Sequence, residues 1–165
     1  MPASDPLPSK YKTLIASLQS LLLATNNASG EAEISYAPFL QIDNTFFVFV
    51  SSMANHTGNM LRNKQASVMF IQPEALAANP FARQRLTLHC SVSEIGREDQ
   101  QYLAVLDAMQ NRFGEILTVL RALPDFHLLA LQPQAPGLFV AGFGKAHKVE
   151  LAVHTEAKAT DYSST

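Results

Sequence analysis

Cysteine is almost missing from this chain: Cys90 is the single one among 165 residues. It has no partner for an internal disulfide and cannot make up a multi-cysteine zinc or iron–sulfur site, which points to a reducing compartment. An excess of one charge is missing too. Twelve Lys and Arg stand against fourteen Asp and Glu, a formal charge of −2, so neither nucleic acid nor an anionic membrane is an expected partner. No run approaches the roughly 20 apolar residues of a membrane span, and Met1-Pro2-Ala3-Ser4-Asp5-Pro6 lacks the basic-then-apolar order of a secretory signal. A soluble, cytoplasmic protein is the expectation. The strong catalytic signatures are absent as well: there is no G-x-G-x-x-G, P-loop, H-E-x-x-H or nucleophile elbow.

What is present is enough apolar material for one core, 47% hydrophobic against 16% charged, and the length fits a single domain over 1–165 with 1–8 and 157–165 as loose termini. Leu14, Ile15, Leu18, Leu21 and Leu22 recur at helical spacing and predict an amphipathic helix over about 8–25. Ile34, Tyr36 and Phe39-Leu40 start a strand pattern, and Asp43-Asn44 marks a hairpin turn. Thr45–Val50 is apolar on both faces, as suits a strand covered on both sides. Residues 53–64 predict a helical turn and 67–71 a strand. Arg85–Val92 alternates, with Leu86, Leu88, Cys90 and Val92 on one face and Arg85, Thr87, His89 and Ser91 on the other. Residues 97–123 read as two helices broken at Gly114, followed by strands near 126–131 and 138–143, with 145–151 extending or pairing with the last. Only one long helical crossover is present, so a mostly antiparallel barrel of about six strands with peripheral helices fits better than a parallel sheet.

Several side chains could carry chemistry. Ser51-Ser52-Met53-Ala54-Asn55-His56-Thr57-Gly58-Asn59 offers many hydrogen-bonding groups after a central strand, as an anion site or as a helix-capping loop. Arg83 and Arg85 flank a strand start as a clamp for a carboxylate or phosphate, with His89 on the same strand face; a solvated or dimer-facing surface explains them equally. Gly142-Phe143-Gly144-Lys145-Ala146 looks like half a phosphate loop, but no helix is predicted after it, and a tight strand exit is the plainer interpretation. His147 and His154 lie near a tail that could deliver a metal ligand to an open site.

Pro38-Phe39, Phe49–Met60, Asn79–Leu88, Asp125-Phe126 and Gly142–Ala146 together resemble the haem-utilisation (HugZ/HutZ-type) branch of the pyridoxamine 5′-phosphate oxidase-like split-barrel proteins. The likeness runs in order from about residue 8 to 155. It implies a six-stranded antiparallel split β-barrel, mainly β with peripheral α, working as a homodimer with two equivalent sites in the clefts between subunits. Members of the wider superfamily bind FMN there, whereas the haem-utilisation branch binds haem b and can open the porphyrin oxidatively to release iron.

Carried onto this sequence, the resemblance implies an anion clamp of Arg83 and Arg85, further cofactor contacts from Ser51, Ser52, His56, Thr57 and Asn59, and a catalytic acidic residue at Asp125. The arginine that helps hold the flavin phosphate in FMN enzymes has no counterpart in Ser35-Tyr36-Ala37-Pro38-Phe39, which turns the balance from FMN toward haem. The iron ligand of the branch is a histidine of the C-terminal segment. His154 is the first candidate here and His147 the second, because this chain departs from its relatives after Lys145-Ala146. Two further functions compete: an FMN-binding oxidoreductase, and a split barrel without ligand serving as a binding or regulatory dimer.

Overall fold

A computed structural model describes residues 7–134 and 136–151. In chain order its elements are α1 (Leu7–Ala16), β1 (Ser20–Asn26), β2 (Ala32–Pro38), β3 (Leu40–Ile42), β4 (Thr45–Ser51), α2 (Asn55–Asn63), β5 (Gln65–Ile71), β6 (Arg85–Ile95), α3 (Gln100–Phe113), α4 (Ile116–Arg121), β7 (Phe126–Pro133), β8 (Gly137–Val140) and β9 (Ala146–Val149). The strands form one antiparallel sheet in the order β2-β1-β5-β6-β7-β4-β3, with β8 on the first residues of β6 and β9 on β8. The sheet curls until β2 lies against β4, which gives the expected split barrel.

The helix expected over 8–25 is corrected. It already includes Leu7 and Pro8, residues expected to be loose, and it ends at Ala16. Ser20–Asn26 is instead a strand, with Leu21, Leu23 and Thr25 turned inward. Three consecutive leucines satisfy a helical and a two-residue period alike, and pairing to β2 on one side and β5 on the other decides for the strand. β1, the short β3 and β9 are the strands by which the sheet exceeds the six expected.

The barrel interior is filled from every strand but β3. Phe39, Phe46 and Phe70 meet there, with ring centroids 4.9–5.9 Å apart. One end of the barrel is covered by α1 through Tyr11, Leu14 and Ile15, Tyr11 meeting Phe139 edge-on at 6.1 Å. A second core lies outside the barrel, where Phe47 and Phe49 of β4 and Leu128 and Ala130 of β7 pack under Tyr102, Leu106 and Met109 of α3. This is why Thr45–Val50 is apolar on both faces. Asp99 starts α3 by accepting the Gln101 N–H at 2.8 Å, and Gly114, at φ +83°, separates α3 from α4.

Among the described residues no helix covers the outer face of β2, β1 and β5. Pairing aligns Tyr36, Leu22 and Met69 across it and continues through Thr87 of β6 to Leu138 of β8. Ile34 is 82% exposed and Tyr36 65%, an apolar strip of the kind that marks a contact surface.

Candidate functional site

The segment Ser51–Asn59 leaves the end of β4 and becomes α2. It is tied to Asp125, which precedes β7, because β4 and β7 are neighbours and Ser51 pairs with Phe126. The Ser51 hydroxyl donates to Asp125 Oδ2 at 2.6 Å, while the Ser52 amide and hydroxyl both donate to the Asp125 carbonyl at 2.7 and 2.8 Å. Thr57 Oγ1 donates to the Ser51 carbonyl at 2.6 Å. Ser51 and Ser52 are thus joined to Asp125, and one carboxylate oxygen of a half-buried acid is held in place.

His56, in the first turn of α2, has Nδ1 2.8 Å from Ser35 Oγ on β2. Burial holds its imidazole below the ordinary histidine value near 6.5, so it is neutral at pH 7. A cleft of about 480 Å³ opens between Ile34, Ser35 and Tyr36 of β2 and Met53–His56 at the start of α2. Thr57 and Asn59 do not reach it. Thr57 is fully buried, and Asn59 donates to Thr25 Oγ1 at 3.1 Å and accepts from Arg62 Nη2 at 2.9 Å, so both hold α2 against the barrel.

Arg83 and Arg85 stand elsewhere. Arg83 donates from Nε to the Gln72 carbonyl at 2.9 Å, its Nη groups making no hydrogen bond among the described residues. Arg85 is half-buried on the outward face at the first position of β6, where it pairs with Ile71 and Val140, and its guanidinium has no partner among the described residues. His147 is exposed on β9 opposite Phe139, at this same end. Leu128, beside the Asp125 cluster, is opposite Ile95 at the far end of β6. At roughly 3.3 Å per residue, ten residues of strand separate the two groups by up to about 33 Å along the chain. One protomer therefore holds Ser51, Ser52 and Asp125 together and places Arg83, Arg85 and His147 at the other end of β6, while His56 stands against Ser35, whose row runs through Leu23 and Val68 to Leu88, three residues from Arg85. His154 lies outside the described residues.

The remaining histidines are engaged locally: His89 Nδ1 is 2.7 Å from Ser67 Oγ, and His127 Nδ1 is 2.6 Å from Glu94 Oε1. Gly142–Ala146 is a strand exit, closed by the Ala141 N–H to Lys145 carbonyl bond at 2.9 Å, and β9 follows where a phosphate loop has a helix. Sequence reasoning did not find Ser35 as the partner of His56. The alternation of Ala32–Pro38, which sets Glu33, Ser35 and Ala37 on one face, is the signal that could have revealed it.

Residues 7–136 match the family model described as pyridoxamine 5′-phosphate oxidase. The chain is 44% identical over 131 residues to the protein named heme oxygenase HutZ of Vibrio cholerae, across 79% of this chain and 74% of that one. A solved structure of HutZ, described as the heme storage protein from Vibrio cholerae, superimposes with a TM-score of 0.77 at 40% identity, covering 84% of this chain and 96% of that one. ChuZ of Campylobacter jejuni superimposes with a TM-score of 0.80 at 30% identity over 87% of this chain, which spans 59% of ChuZ. With the fold, the ordered motifs and this identity in agreement, the chain belongs to the pyridoxamine 5′-phosphate oxidase family of split-barrel proteins, in its haem-utilisation branch.

Proposed function

We propose that this protein binds haem b as ligand and substrate in clefts between two copies of the chain, and that it opens the porphyrin oxidatively in haem utilisation. The observation that carries the proposal is the 44% identity to heme oxygenase HutZ. The residues fit the ligand. Arg83 and Arg85 present guanidinium groups to carboxylates such as haem propionates. At the other end Asp125 is a held carboxylate, and His56 on the cleft beside β2 is a neutral imidazole. A homodimer reconciles their separation: if the apolar strip of β2, β1 and β5 meets its copy about a twofold axis, the Arg85 end of each protomer can face the Asp125 end of the other, giving two equal sites.

Bound haem would supply the iron at which oxygen is activated. The chain would supply the rest. Arg83 and Arg85 would hold the propionates. Asp125 would accept the second N–H of an imidazole that ligates the iron, which would set its tautomer and raise its basicity. His154 and then His147 are the candidates for that imidazole. FMN remains the competing ligand through the wider family, but β2 offers Ser35 and Tyr36 and no arginine for a flavin phosphate.

Haem titration of the purified protein, followed by absorption near 400 nm and by sedimentation, tests this proposal. One haem per subunit on a dimer is expected. A spectrum identical to haem in buffer would refute it; a yellow protein as isolated would favour FMN, and a dimer binding neither would be a ligand-free binding module. Storage is distinguished from degradation by adding ascorbate: a storage protein keeps its Soret band.

A further inference from the structure

Two phenylalanines are held out into solvent beside the arginine pair. Phe81 is 82% exposed and Phe143 78%, where large apolar side chains are ordinarily covered. Their presentation is built into the backbone. Phe81 is on a short 3₁₀ turn, Pro80–Ala82, that begins with a proline and is capped by Asn79, whose Oδ1 accepts the Phe81 N–H at 3.0 Å. Phe143 stands between Gly142 at φ +149° and Gly144 at φ +71°, both in conformations that favour glycine.

The two turns leave the same end of the β6–β8 pair: Arg85 pairs with Val140, so residues 81–84 enter β6 where 141–145 leave β8. One end of the barrel thus carries Phe81 and Phe143 together with Arg83, Arg85 and Lys145. Phenyl rings beside cations that have no acidic partner among the described residues match a planar aromatic ring system that bears carboxylates or a phosphate.

We infer that Phe81 and Phe143 are binding residues that pack on the plane of a tetrapyrrole whose carboxylates are held by Arg83 and Arg85. This deepens the haem proposal and rests on it. Protoporphyrin IX, which has the ring and carboxylates of haem without the iron, isolates this contact from any axial ligand.

The experiment is fluorescence titration of protoporphyrin IX, with FMN in parallel, against the wild type and Phe81→Ala, Phe143→Ala, Phe81→Tyr and Phe143→Tyr, with sedimentation of each. Each alanine variant is expected to lose roughly 5- to 20-fold in porphyrin affinity, the tyrosine variants to stay within about threefold, and all to remain dimers. Unchanged porphyrin affinity in both alanine variants, with wild-type binding intact, would overturn the inference and leave the haem proposal standing. Dissociation of the alanine variants into monomers would assign the rings to a subunit contact and overturn it too. A wild type that binds neither porphyrin nor haem would overturn both, and a response to FMN alone would reassign the rings to a flavin.

Discussion

Asn59→Leu isolates the polar pins that hold α2 to the barrel. Asn59 is 5% exposed; its amide donates to Thr25 Oγ1 at 3.1 Å and more weakly to Glu33 Oε2 at 3.4 Å, and its carbonyl accepts from Arg62 Nη2 at 2.9 Å. Leucine fills the same space but removes two good hydrogen bonds, each contributing about 1 kcal/mol net. It also leaves the Thr25 hydroxyl buried without its donor, which costs a further 1–2 kcal/mol or so. Arg62 retains the Asn26 carbonyl at 3.1 Å and is exposed, so its loss is small. The sum is roughly 2–4 kcal/mol, or about 5–15 °C in Tm for a domain of this length. Urea unfolding followed by circular dichroism at one fixed protein concentration measures it, fixed because the proposed dimer would make stability depend on concentration. Haem affinity of the folded protein is expected to stay within a few-fold. A destabilisation below about 0.5 kcal/mol, or a specific loss of haem binding at full stability, would refute the structural role and return Asn59 to the ligand contacts first assigned to it.

Arg85 presents the opposite case, since its guanidinium has no partner among the described residues to abandon: Arg85→Ala is expected to leave Tm within about 2 °C and to weaken haem binding by roughly 10- to 150-fold, the range of a charge-assisted hydrogen bond. Equal affinity in absorption titrations would remove Arg85 from the site. His56 is depressed below 6.5 by burial, so as pH falls through 6.5 the unfolded chain takes up a proton that the folded one resists; stability present above 6.5 is lost as pH drops toward the folded value. Tm measured between pH 7.5 and 5 should fall less steeply for His56→Gln than for the wild type, and parallel curves would contradict the assignment. Ile34→Glu, which places a charge in the apolar strip of β2, should shift sedimentation from dimer to monomer at micromolar concentration; an unchanged dimer would move the interface to another face.

What the sequence made legible was set by local pattern. The two-sided apolar run of β4, the alternation of β6 and the break at Gly114 are each dictated by a period of two or 3.6 residues or by one backbone requirement, and each is found where expected. Leu21-Leu22-Leu23 satisfied both periods, and only pairing with β2 and β5 resolved it. The candidate site was legible as residue types and not as geometry. Ser51 and Asp125 are 74 positions apart, and Ser35 and His56 are 21 apart; both contacts depend on which strands adjoin. The resemblance put the Arg83 and Arg85 clamp in one set of cofactor contacts with Ser51 and Ser52, and nothing local reveals that the length of β6 lies between them. Asn59 looked like a ligand contact because an amide that pins a helix and one that faces a cofactor are the same side chain.

The central claim, that each site is shared between two copies, is tested most directly by complementation. Arg85→Ala should be poor in haem turnover because binding is weak, and Asp125→Asn because the hydrogen bond behind the iron ligand is altered. Unfolded together in equal amounts and refolded, half of the dimers should be mixed, and in each of these one site combines an intact Arg85 with the intact Asp125 of the other copy. Turnover with ascorbate should therefore recover to about a quarter of wild type under isologous pairing. Turnover no greater than the average of the two variants refolded separately would contradict the shared site and place the whole reaction within one chain.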